Sequence, residues 1–119
     1  MELSKSSSNQ VYFEDKDYLK KTLEQVQRDF NMSGLNFDDP RNPPKDYNEL
    51  FIVVLENLAD LVRDNDIKLK NLLYRIDISE ISIQKRVANT LNGELESILC
   101  NMVIERCLLK VLTREKFSS

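Results

Sequence analysis

The stretch "ELESILCNMVIERCLLKVLTREK", from about Glu94 to Lys116, decides the fold, because it is apolar almost all the way round between Ile98 and Leu112. A helix that is apolar on every side is normally covered by several neighbouring helices. The stretch therefore predicts a long C-terminal helix at the centre of an all-α fold, a small bundle of four to five helices.

The composition of the whole chain also favours helices. Its 119 residues are enough for one modest domain with a real core. Helix breakers are scarce, with two Gly and with all three Pro between Pro40 and Pro44. We predict a disordered leader over residues 1–13 and a single helical domain over residues 14–119, with a proline-rich linker at residues 36–46.

Four helices are predicted ahead of the C-terminal one. The first runs from about Asp15 to Met32, and the second from about Tyr47 to Arg63. The third begins with a cap within Asp64–Asp66 and ends near Arg75 or Ile76. The fourth starts after Asp77 or after Ser79 and ends near Leu91. Gly34 is a stop signal for the first helix, and Asp46 is a natural N-cap for the second. Asp77 followed by Glu80 fits a capping box at the fourth.

Two apolar residues lie off the core face of the second helix. Tyr47, Leu50, Val54 and Leu58 belong to its broad apolar face, but Ile52 and Val53 do not. They need another neighbour, either another helix or another copy of the protein. Ile52 and Val53 are therefore interaction candidates, and a homodimer is one interpretation of them.

The segment "DISEISIQKRV", residues 77–87, resembles the turn and recognition helix of helix-turn-helix repressors. Ile78 and Ser79 match the turn, and Lys85 stands where an arginine often sits in those proteins. Two positions depart from the pattern. Asp77 replaces a glycine chosen for positive φ, and the bulky Leu73 replaces a small residue at the helix crossing.

The charge pattern fits this alternative only in part. Residues 63–92 carry six basic and four acidic side chains, whereas the whole chain has a net charge of −3. A helix-turn-helix over residues 67–92 would offer five phosphate contacts, namely Lys68, Lys70, Arg75, Lys85 and Arg86. Operator-binding proteins make roughly six to ten phosphate contacts, so nucleic acid is an unlikely partner.

Two further segments carry a wider resemblance. "LYRIDISE", residues 73–80, and "ERCLLKVLTREKF", residues 105–117, together look like a group of small uncharacterised bacterial helical proteins. The resemblance implies a cytoplasmic helical protein, transfers no catalytic residue, and favours a structural role for the "YRID" segment.

Several classes of chemistry are disfavoured by the residue types. The chain has no His, which is the commonest general base and zinc ligand. Cys100 and Cys107 are about 10 Å apart along one helix, too far for a mutual disulfide, and are expected to be reduced core thiols. We predict no metal, no cofactor and no enzymatic activity. No apolar run is long enough to span a membrane, so a cytoplasmic location is expected.

Arg106 is a charged residue that falls among apolar residues of the C-terminal helix. It projects near the centre of the face formed by Leu95, Ile98, Leu99, Met102 and Leu109. We predict a partly buried pair with Asp77 or Glu80, or hydrogen bonds to the carbonyls that end the third helix. The function expected overall is a protein-interaction or structural domain, with a helix-turn-helix DNA-binding regulator as the alternative.

Overall fold

A computed structural model describes residues 11–117. It contains helices α1 (Lys16–Met32), α2 (Tyr47–Asp64), α3 (Asp66–Ile76), α4 (Glu80–Ala88) and α5 (Leu95–Lys116), and residues 11–13 are also helical. The described part of the chain contains no β-strand, so the predicted all-α class is confirmed. No helix among these residues is long and apolar enough to cross a membrane.

Helix α5 is the centre of the bundle, as its sequence predicts. The other four helices all pack against it. Its buried side chains lie on several sides of the helix: Ile98, Leu99, Cys100, Met102, Val103, Ile104, Cys107, Leu108 and Val111. A helix with burial on so many sides must be covered by several neighbours, and the remaining helices are arranged around it for this reason.

Helix α1 covers α5 with the narrow stripe that the sequence indicates. Leu19, Leu23, Val26 and Phe30 are buried, together with Thr22. Gly34 ends the helix with φ of 78°, and its N–H donates to the Asn31 carbonyl at 3.0 Å. The Leu35 N–H donates to the Phe30 carbonyl at 2.9 Å, which completes a Schellman motif with buried Leu35 as its apolar residue.

The proline-rich linker is not helical, and it is packed onto the bundle. Phe37 lies edge-on to Phe30 with ring centroids 5.0 Å apart, and Pro44 is buried. The Asn57 side chain of α2 accepts a hydrogen bond from the Asp38 N–H at 2.8 Å. The linker therefore follows α2 and closes one side of the core.

The predicted leader needs a correction at its end. Residues 11–13 are helical, and Phe13 is buried with its ring 4.9 Å from the ring of Tyr47. Aromatic burial of this kind joins these residues to the folded domain. Residues 1–10 of the predicted leader lie outside the described residues.

The fourth helix starts after Ser79, which is one of its two predicted starts, but it ends earlier than predicted. Its N-cap is Ser79, whose hydroxyl accepts from the Ser82 N–H at 3.1 Å, so the predicted capping box at Asp77 is wrong. It ends at Ala88, three residues before Leu91. The chain then turns through Asn92, which has φ of 60°.

Candidate functional site

The corner between α3 and α4 is shaped by Asp77. Its φ of 72° is left-handed, its N–H donates to the Tyr74 carbonyl at 3.1 Å, and the Ile78 N–H donates to the Leu73 carbonyl at 2.9 Å. This is a second Schellman motif, with buried Ile78 as its apolar residue. Aspartate tolerates this conformation better than most residues, because its short polar side chain can bond locally. Asp77 therefore adopts the positive φ for which the helix-turn-helix pattern uses glycine.

Arg106 of α5 holds this corner. Its Nε donates to the Ile76 carbonyl at 3.3 Å, and its Nη2 lies 2.8 Å from Asp77 Oδ2. The predicted hydrogen bond to a carbonyl at the end of α3 and the predicted pair with Asp77 are therefore both present. Glu80 is exposed and forms no hydrogen bond or ion pair with Arg106. The predicted burial is too high, because the Asp77 side chain is 78% exposed and the Arg106 side chain 34%.

Replacing Arg106 by alanine should therefore cost about 1 kcal/mol of unfolding free energy, the size of an exposed ion pair plus one modest hydrogen bond. Urea unfolding of Arg106→Ala measures this loss. Lys85→Ala is the matched control, since Lys85 is exposed and forms no ion pair with a described residue. A loss of unfolding free energy of about 3 kcal/mol or more would show that the Arg106–Asp77 pair is buried rather than exposed. A loss equal to that of Lys85→Ala would show that the pair contributes nothing to stability.

Lys110, one turn after Arg106, also contacts the C-terminal end of α3. Its Nζ donates to the Arg75 carbonyl at 3.3 Å and lies 3.0 Å from Asp29 Oδ2 of α1. Two cations of α5 thus satisfy two of the carbonyls left open at the C-terminus of α3, where positive charge is favourable. The contacts of Lys110 join α1, α3 and α5, and the sequence analysis did not identify it.

The buried Asp29 is the second residue that the sequence analysis missed. Its side chain is 4% exposed, and it accepts hydrogen bonds from Gln25 Nε2 at 3.2 Å and from the Cys107 thiol at 3.6 Å. The available signal was its position, since Asp29 lies directly before Phe30 and three residues after Val26 on the buried stripe of α1. A carboxylate at that position requires a cation or several donors.

The two cysteines are core thiols in this structure. Both are free and buried, and Cys100 Sγ lies 3.4 Å from the Phe51 carbonyl. Burial raises the pKa of the Cys100 thiol to about 12, and burial together with the nearby Asp29 carboxylate raises the pKa of the Cys107 thiol. A thiol with a raised pKa is a poor nucleophile at neutral pH.

The five candidate nucleic-acid contacts have different environments. Arg86 is nearly buried, with Nη2 2.9 Å from Glu105 Oε1 of α5, so it supports the attachment of α4. The other four are exposed: Lys68, Lys70, Arg75 and Lys85. Among these, Lys70 forms an exposed pair with Asp66 at 3.3 Å.

The packing of α3 and α4 differs from a tight helix-turn-helix crossing. Helix α3 packs against α1, α2 and α5, helix α4 packs against α5, and the two helices have few contacts with each other. Leu73, at the position where a small residue allows close approach, is buried. The turn has the expected backbone form, but the close helix pair is missing.

Helix α4 is the least covered helix of the bundle. None of its nine residues is fully buried. Ile81 is 65% exposed, and Val87, Leu91 and Leu95 are also exposed at or after the end of the helix. We call these four apolar side chains the α4 surface. A concentration of exposed apolar residues on one short segment is typical of a contact surface.

The two interaction candidates on α2, Ile52 and Val53, have different environments in the structure. Val53 is partly buried against the core, and only Ile52 is exposed. Val53 packs against the core of its own domain, so it does not need a second protein. Asn57 Nδ2 donates to the Val53 carbonyl at 2.9 Å and to the Asp38 carbonyl at 3.2 Å, which holds the linker beside this helix.

Comparison with protein-family models, with curated proteins and with solved structures finds no match to this chain. Among the described residues, no group of three or more acidic or cysteine side chains is placed to hold a metal ion. The function is therefore inferred from the surfaces and contacts of this chain alone.

Proposed function

We propose that the chain is a non-enzymatic protein-interaction domain that self-associates through the α4 surface. The observation that carries the proposal is the burial pattern of α4, which has no fully buried side chain and exposes Ile81 and Val87. Burying apolar area of this kind is the main driving force of protein association. Ile81 supplies this area on the side of α4 that also carries Ala88, whereas Val87 projects about 120° from Ile81.

A second copy of the chain fits this surface because of its charges. Glu80 begins α4 and Lys85 follows five residues later, and neither forms an ion pair with another described residue. When two α4 helices pack antiparallel, each Glu80 comes within reach of Lys85 on the other copy. Ile81 and Ala88 project within about 20° of each other, so Ile81 of one copy can pack on Ala88 of the other.

The expected affinity is modest. Fully burying an isoleucine or leucine side chain contributes about 1.5–3 kcal/mol, and association itself costs at least about 4 kcal/mol. Since the four side chains are already partly covered, only part of this contribution is gained. A dissociation constant on the order of micromolar follows.

The test is the concentration dependence of mass for wild type and for Ile81→Glu. We expect wild type to dimerise and Ile81→Glu to weaken dimerisation by at least about tenfold, because the new carboxylate would be buried beside Glu80. Sedimentation equilibrium measures both constants. Ile52→Glu is the matched control, as an exposed isoleucine on α2. A monomeric wild type at about 1 mM, or equal dimerisation of both proteins, would refute the proposal.

The non-enzymatic part of the proposal is supported by the thiols and the composition. Burial raises the pKa of both thiols, and the chain has no His to serve as their base. We also place the domain in the cytoplasm. Two free buried cysteines suit a reducing compartment.

A helix-turn-helix regulator is the second candidate function. The observation that favours it is the turn from Asp77 to Ser79, with its left-handed first residue and its N-capped helix α4. The engagement of Arg86 by Glu105 opposes it, since one of the five candidate phosphate contacts is used inside the domain. Selection of random DNA duplexes by the purified protein distinguishes the two functions, since only the regulator would enrich a sequence.

A further inference from the structure

The outward face of α3 carries two large apolar side chains that none of the described residues buries. Ile67 is 74% exposed and Tyr74 is 88% exposed. Seven residues separate them, so they project within about 20° of each other and stand about 10 Å apart along the helix. Asn71 lies between them and is also exposed. We call these three side chains the α3 stripe.

Basic side chains flank the α3 stripe on both sides. At 100° per residue from Ile67, Lys70 lies about 60° to one side, and Arg75 and Lys68 lie about 80° and 100° to the other. All three are exposed. Both side chains of the pair between Lys70 and Asp66 are exposed. Exposed ion pairs contribute little to stability, so Lys70 can readily exchange Asp66 for another carboxylate. The flanks are therefore open to carboxylates of a second molecule.

We propose that the α3 stripe binds an amphipathic helix of another protein whose apolar face is bordered by acidic residues. A partner helix with apolar residues at positions i, i+3, i+4 and i+7 spans the distance from Ile67 to Tyr74. Carboxylates beside that face meet Lys70 on one flank and Lys68 and Arg75 on the other. This complementarity selects an acidic partner over a basic one.

A methionine extends the surface at one end. The Arg75 guanidinium lies against Met32 of α1, with Nη1 3.8 Å from Sδ, and Met32 is exposed. Methionine adapts its shape to varied apolar partners. The surface therefore continues beyond α3 onto the end of α1.

A nucleic acid fits the same surface less well. Three basic side chains are few beside the roughly six to ten phosphate contacts of operator-binding proteins, and the stripe between them is apolar. The inference concerns a different helix from the α4 surface and stands independently of the proposed self-association.

The experiment uses the whole chain and two synthetic helices of about 20 residues, a length at which a helix can form in isolation. Both helices carry leucine on one face and alanine on the opposite face. One has glutamate flanking the leucines, and the other has lysine there. Fluorescence anisotropy of the labelled peptides measures affinity at low and moderate salt. We expect the acidic helix to bind at least about tenfold more tightly than the basic one.

Variants locate the binding surface. Ile67→Ser with Tyr74→Ser should weaken acidic-helix binding at least about tenfold, and Lys68→Glu with Lys70→Glu should reverse the preference between peptides. Ile52→Ser is the control and should leave binding unchanged. Equal binding of both peptides, no binding of either, or full binding by the Ile67–Tyr74 double variant would overturn the proposal. So would a DNA or RNA duplex that competes with the acidic peptide at equal concentration.

Discussion

Replacing Lys110 by methionine is expected to lower the unfolding free energy by about 3–5 kcal/mol, the cost of leaving a buried charge without its partner. The ammonium of Lys110 lies 3.0 Å from Asp29 Oδ2, and the Asp29 side chain is 4% exposed. Methionine preserves most of the apolar stem, so the change removes mainly the charge. Gln25 and the Cys107 thiol remain as donors but cannot neutralise the carboxylate.

Urea unfolding of three variants isolates this effect. Lys20→Met is the matched control, an exposed lysine on α1 for which a change within about 0.5 kcal/mol is expected. Lys110→Met with Asp29→Leu should recover most of the stability, because replacing both partners of a buried pair by apolar residues is often nearly neutral. A loss below about 1 kcal/mol for Lys110→Met would mean that the Asp29 carboxylate is hydrated rather than buried.

Phe30→Ala should be similarly costly, with a loss of about 3–5 kcal/mol. The Phe30 side chain is fully buried at the C-terminal end of α1, and its ring lies edge-on to Phe37 of the linker with centroids 5.0 Å apart. The substitution leaves a cavity and also removes an aromatic contact worth about 0.5–1.5 kcal/mol. The linker, held by this contact, should loosen.

Two measurements check the Phe30 prediction. Urea unfolding gives the loss of stability, and amide hydrogen exchange of residues 36–39 reports the loosening of the linker. Phe117→Ala is the matched control, because Phe117 is exposed at the end of α5. An unchanged exchange rate in the linker would show that other contacts, such as Asn57 with Asp38, are sufficient to hold it.

Local sequence signals predicted the helices well. Asp46 caps α2 by accepting from the Glu49 N–H at 2.9 Å, and Gly34 ends α1 in the left-handed region. These features depend on a few neighbouring residues, so a single sequence contains the information. The central position of α5 was predictable for a related reason, since a helix that is apolar all round must be surrounded.

Features that depend on distant partners were not predicted. Asp29 and Lys110 are 81 residues apart, and neither has a local pattern that names the other. For Val53 the sequence left open a neighbour in the same domain or a second copy of the protein, because its packing could not be placed from sequence. The pair of Arg106 with Asp77 was predicted from helix projection, but the 78% exposure of the Asp77 side chain was not.

The central position of α5 has a consequence for synthesis on the ribosome. The four helices that cover α5 are translated before it, so their apolar faces emerge from the exit tunnel while their common partner is still being made. During that interval α1, α2 and α3 can bury their apolar faces only against one another or in a chaperone. The nascent chain is therefore most exposed to aggregation just before residues 98–111 emerge, and the core cannot be completed until they do.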